Sequence, residues 1–90
     1  MDIAEWRKQI DTLDQQLVAL LNQRCRCALA IGELKQAQGL PIAEQEREER
    51  VLANIRAANR DCGGPIDDAA LERIFNCIMA EMRRLQGTGS

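Results

Sequence analysis

From Ile3 to Leu34 one unbroken stripe, apolar except at Arg24, runs along the chain: Ile3, Trp6, Ile10, Leu13, Leu17, Leu20, Arg24, Cys27, Ile31 and Leu34. The steps alternate three and four, the heptad spacing of a helix that packs along its whole length. No glycine or proline interrupts the run before Gly32, and Gly39 followed by Pro41 supplies the stop. The pattern predicts one helix over about 3–38, roughly 54 Å long at 1.5 Å per residue.

A helix of that length constrains everything else, because the chain has only 90 residues. A compact domain of this size has a radius of gyration of about 12 Å. Two shorter helices fit in the remainder. One runs from about Glu44 to Asn59, with Val51, Leu52, Ile55 and Ala58 on its apolar side. The breaker "DCGGP", residues 61–65, ends it. Asp67 then caps a third helix whose first turns carry Asp68 and Glu72 near the positive end of the helix dipole. That helix reaches about Gln86, with Leu71, Ile74, Phe75, Ile78, Met79, Met82 and Leu85 directed inward. The expected fold is all-α: one helical domain over residues 1–86, three helices with one long and two short, and a frayed, disordered tail over 87–90. Two short helices cannot cover the long stripe, so the uncovered length calls for a second copy, most economically in a two-fold homodimer.

Composition narrows the function. Net charge is −2, with bases interleaved among acids, and the aromatics are one Phe and one Trp. Neither a basic field nor a stacking platform for nucleic acid is present. No apolar run approaches the roughly 20 residues of a membrane span. The amphipathic start "MDIAEWRKQID" is not a secretory signal, which points to the cytoplasm. In that compartment Cys25, Cys27, Cys62 and Cys77 are expected as reduced thiols. With no histidine, and with Cys25 and Cys27 on different sides of a helix, neither a metal nor another cofactor is expected.

The cations on the stripe are the informative residues. A guanidinium at a seam position costs several kcal/mol unless paired. Arg24 is therefore either paired with an internal acid, or sets the register of a coiled coil, or binds a ligand. Lys35 lies 11 residues on, close to three whole turns, so both cations face one way about 16 Å apart, with Ala28 and Ile31 between them. Two cations beside an apolar floor favour a ligand with several negative groups. Arg7 sits about 25 Å from Arg24 and roughly 100° around the helix, so it reaches the same place only from a partner chain; taken alone it reads as a solvated residue. The run "EQEREER", 44–50, reads by default as a solvated face. Yet Glu44 and Glu48 share one side, bordered by Arg47, and Glu48 leads into the buried side of its helix. Gln86 ends the stripe Phe75, Met79, Met82, where its amide can place a donor at the end of an apolar wall.

Together these segments, "WRKQIDTLDQQLVALLNQRCRCALAIGELK", "GLPIAEQEREERVL" and "LERIFNCIMAEMRRLQ", resemble the all-helical chorismate mutase family over nearly the whole chain. The resemblance implies an intertwined dimer and the rearrangement of chorismate to prephenate, on the way to phenylalanine and tyrosine. It implies that Arg24 and the partner's Arg7 hold two carboxylates, and that Lys35 contacts a carboxylate and the ether oxygen. Gln86 would donate to that oxygen, Glu48 would accept from the ring hydroxyl with backbone near Glu44 helping, and Arg47 would border the pocket. Two positions depart from the family pattern: Glu44 stands where Asp is common, and Met82 where well-known members carry a small hydroxyl residue. The alternatives are an isochorismate pyruvate lyase or a 4-amino-4-deoxychorismate mutase on the same fold, or a non-catalytic dimerisation module.

Overall fold

The computed structural model describes residues 1–87 as three helices: α1 (Ile3–Gln38), α2 (Gln45–Cys62) and α3 (Asp68–Gly87). Residues 88–90, the larger part of the expected tail, lie outside the described residues, while Gly87 closes α3.

Each helix end has a local cause. Asp2 precedes α1 and its Oδ1 accepts from the Glu5 amide at 2.9 Å. At the other end Gly39 takes φ 71°, and the Gly39 and Leu40 amides donate back to the Gln36 and Lys35 carbonyls. This paired closure satisfies two orphan carbonyls in a left-handed turn that a Cβ would strain. α2 outruns its expected end at Asn59 by about one turn, stopping at Cys62 before Gly63. Asn59 faces the next segment: its Nδ2 donates to the Ile66 carbonyl at 2.9 Å and to Asp68 Oδ1 at 3.0 Å. Asp67 caps α3 as expected, accepting from the Ala70 amide at 2.7 Å.

The molecule extends 54 × 24 × 16 Å, its long dimension being that of α1, and its radius of gyration is 15.9 Å against about 12 Å for a compact chain of this length. α3 packs on both other helices, whereas α1 and α2 do not pack on each other. Glu72, expected only as a dipole partner, pairs with Arg56 of α2 and ties the two short helices together.

Packing on α1 follows a stripe other than the heptad seam. α3 covers Ala28 and Gly32, neighbouring small residues on the C-terminal half. The large seam residues stay open in the single chain: Leu17 is 55% exposed and Leu34 60%. Buried apolar side chains within the chain are Met79 and Met82 of α3. Ile74, expected to point inward, is exposed, because α3 meets its neighbours along Phe75, Ile78, Met79 and Met82. Among the described residues no helix is long and apolar enough to cross a membrane.

Candidate active site

The site begins where α3 comes closest to α1. Gly32 has no side chain, and a Cβ built there would stand 3.1 Å from Gln86 Cγ and 3.3 Å from Gln86 Cβ. The glycine thus lets Gln86 lie on the helix surface. Gln86 Nε2 donates to the Ala28 carbonyl at 2.6 Å. A carboxamide nitrogen carries two hydrogens, so this bond orients the amide and leaves the second hydrogen for another acceptor.

One turn beyond Gly32 stands Lys35, whose Nζ is 2.7 Å from Glu44 Oε1 and donates to the Ile42 carbonyl at 2.9 Å. Lys35 therefore folds the α1–α2 connection back over the end of α1. Lys35, read from the sequence as a cation facing a ligand, thus also has an acid of its own chain. Glu44 is the residue preceding α2, but its side chain makes no capping bond, being drawn across to Lys35. The hydrogen bond from Lys35, then its charge, with Arg47 adding to it, holds the Glu44 carboxyl below its ordinary pKa. Three ammonium hydrogens serve two acceptors, so one donor of Lys35 remains.

Arg24 differs from Lys35. It is half-buried, and no acidic partner or hydrogen-bond acceptor engages it among the described residues. Glu48, closing the first turn of α2, forms an ion pair with Arg83 of α3. Sequence reasoning missed Arg83, because a base 35 positions away gives no periodic signal.

Arg24, Lys35, Glu44, Arg47, Glu48, Met82 and Gln86 line one hollow of about 230 Å³. Its remaining wall is largely apolar: Ala28, Ile31, Ile42, Val51 and Met79, with the Cys27 side chain beside them. Of these, Ala28 and Ile31 were expected as floor from the helical repeat; Ile42, Val51 and Met79 enter through the tertiary fold. Of the eight candidate residues Arg7 is the one outside the hollow, exposed on the second turn of α1. Within a single chain the separation of about 25 Å keeps it from Arg24.

Three cations and two carboxylates line this hollow, and Arg83 offsets Glu48 from behind. The surplus is positive and sits beside an apolar floor. Such a site suits a small, compact anion with a hydrocarbon body, held by forked and point-charge donors. An all-helical protein with a small, cation-lined hollow over an apolar floor is the class that the fold and the site define.

Residues 6–87 match the family described as Chorismate mutase type II, and the chain belongs to that family. The chorismate mutase of Methanocaldococcus jannaschii is 30% identical over 84 residues, covering 93% of this chain and 83% of that protein. A bifunctional chorismate mutase/prephenate dehydratase of Aquifex aeolicus is 35% identical over 86 residues, which is 94% of this chain and 24% of that protein. The chain thus spans about a quarter of that relative's length. Among solved structures, form II of the chorismate mutase from Thermus thermophilus superposes with a TM-score of 0.91 at 31% identity, covering 98% of this chain and 97% of that one.

Proposed function

We propose that the chain is a chorismate mutase that converts chorismate to prephenate in the cytoplasm, on the route to phenylalanine and tyrosine. One observation carries the reading: donors of Arg24, Lys35 and Gln86 converge on one hollow with an apolar floor. The reaction is a pericyclic shift in which no proton moves and no covalent adduct forms. What it needs is a folded substrate and donors at the oxygen whose bond breaks.

Arg24 holds one carboxylate of the substrate through its planar fork. Lys35 directs its one remaining donor to the ether oxygen, while its charge lies beside a carboxylate of the substrate. Gln86, oriented by the Ala28 carbonyl, directs its second amide hydrogen to the same oxygen. Negative charge grows there as the carbon–oxygen bond breaks, so these donors act more strongly in the transition state than in the bound ground state. Holding the flexible dianion in its reactive chair removes orientational entropy from the barrier. Glu48 accepts from the ring hydroxyl, the Glu44 backbone borders it, and Arg47 closes the rim. Met79 and Met82 provide wall without a donor, so the carboxylate nearest them relies on the arginines.

Arg7 completes the site from a second copy. The exposed apolar seam of α1, including Ile10, Leu13 and Leu17, needs a cover, and a two-fold dimer through α1 supplies both the cover and the missing cation.

Loss of chorismate absorbance with purified protein tests the activity; a folded protein that leaves chorismate untouched refutes it. Mixing inactive Arg7→Ala and Arg24→Ala chains tests the shared site. Heterodimers would carry one intact pocket, so roughly a quarter of parental activity should return. No recovery after subunit exchange would show that each chain supplies its own Arg7.

A further inference from the structure

The ion pair between Glu48 and Arg83 joins two half-buried side chains, and of the two Glu48 alone faces the hollow. Arg83 approaches it from α3, outside the lining. We infer that Arg83 is a specificity-determining residue that commits the ring end of the pocket to a neutral hydroxyl and against an ammonium. The inference rests on the proposed role of Glu48 as acceptor for the ring substituent.

The charges around Glu48 give the reason. Arg83 faces it from α3, Arg47 and Glu44 stand near it at the start of α2, and Arg24 and Lys35 lie across the hollow on α1. Glu44 is taken by Lys35 and Glu48 by Arg83, which leaves Arg24 and Arg47 without an ion pair among the described residues, Arg47 acting on Glu44 only through its charge. A hydroxyl needs only a lone pair, and a carboxylate bonded to a guanidinium still has lone pairs to offer. An ammonium in the same place would meet a neutralised acid with a cation behind it. Discrimination of this kind works by penalising the wrong partner. With Arg83 neutral, the carboxylate becomes an uncompensated acid facing the ring, which an ammonium satisfies better than a hydroxyl.

The test compares kcat/KM for chorismate and for its 4-amino analogue, in the parent and in Arg83→Met, Arg83→Gln and Arg83→Lys. The parent should prefer chorismate by at least about tenfold, the scale of one like-charge contact at partly screened distance. The two neutral variants should move the ratio toward the amino substrate by about tenfold or more, and Arg83→Lys should keep the parental preference. A role confined to clamping α3 on α2 would lower both substrates by one factor. An equal fall for both substrates in the neutral variants overturns the inference, as does a parent without preference, a result that needs no variant to fold. A parent inactive on chorismate overturns the mutase reading and this inference with it. A parent active on chorismate whose ratio stays fixed across the variants overturns this inference alone.

Discussion

Replacing Gly32 by alanine separates stability from catalysis in a way the packing makes explicit. In the interior of α1, Gly→Ala gains about 1 kcal/mol of helix propensity. Against that, the new methyl would sit 3.1 Å from Gln86 Cγ and 3.3 Å from Gln86 Cβ. Ordinary carbon contacts need several tenths of an ångström more, and the Cβ cannot swing aside as the end of a long side chain would. Overpacking of this kind costs about 1–3 kcal/mol. The two effects offset in part and leave a net cost of about 0–2 kcal/mol, so the melting temperature should fall by at most about 16 °C. Activity does not share the compensation. The methyl displaces the residue whose Nε2 is fixed 2.6 Å from the Ala28 carbonyl, and so misdirects its free hydrogen. Losing one donor at a developing oxyanion costs ~10²–10³ in rate, and a partial displacement should cost about 10–100-fold in kcat. Thermal unfolding and chorismate disappearance, measured on one preparation, give both numbers. A Gly32→Ala protein with kcat within twofold of the parent would refute the claim that Gln86 must lie on α1 at Gly32.

Lys35→Ala should lower kcat by ~10²–10³ while circular dichroism stays helical; an unchanged kcat would remove the ammonium from the mechanism. Arg24→Lys keeps the charge but loses the forked donor geometry, and should lose at least about tenfold in kcat/KM, since the two side chains are not equivalent at a carboxylate. Turnover near the parental level would count against the assigned role. Glu44 gives a pH signature. Its carboxyl is held below its ordinary pKa by Lys35, so the unfolded chain binds its proton more readily than the folded one. The stabilisation is complete above the ordinary carboxylate range and disappears as pH falls through the lowered value. Denaturation midpoints of the parent and Glu44→Gln should therefore differ at neutral pH and converge in strong acid. A gap that persists unchanged would show that the pair contributes nothing through its charge.

The helices were readable in the sequence because their causes are local. The stripe from Ile3 to Leu34, the stop at Gly39, the breaker at 61–65 and the cap at Asp67 all act within a turn or two of themselves. The three-turn spacing of Arg24 and Lys35 is likewise fixed by helical geometry alone. Long-range pairings carry no such trace. Nothing local says that α3 would choose Ala28 and Gly32 over the larger seam residues beside them, that Glu44 would abandon its cap for Lys35, or that Arg83 would neutralise Glu48.

The sequence by itself determined where the three helices lie and, to within about a turn, where they end, since propensity, capping and periodicity are properties of neighbouring residues. The tertiary structure decided which faces meet and which charges are cancelled. Those depend on how closely two backbones can approach, and here a missing side chain at Gly32 sets that distance.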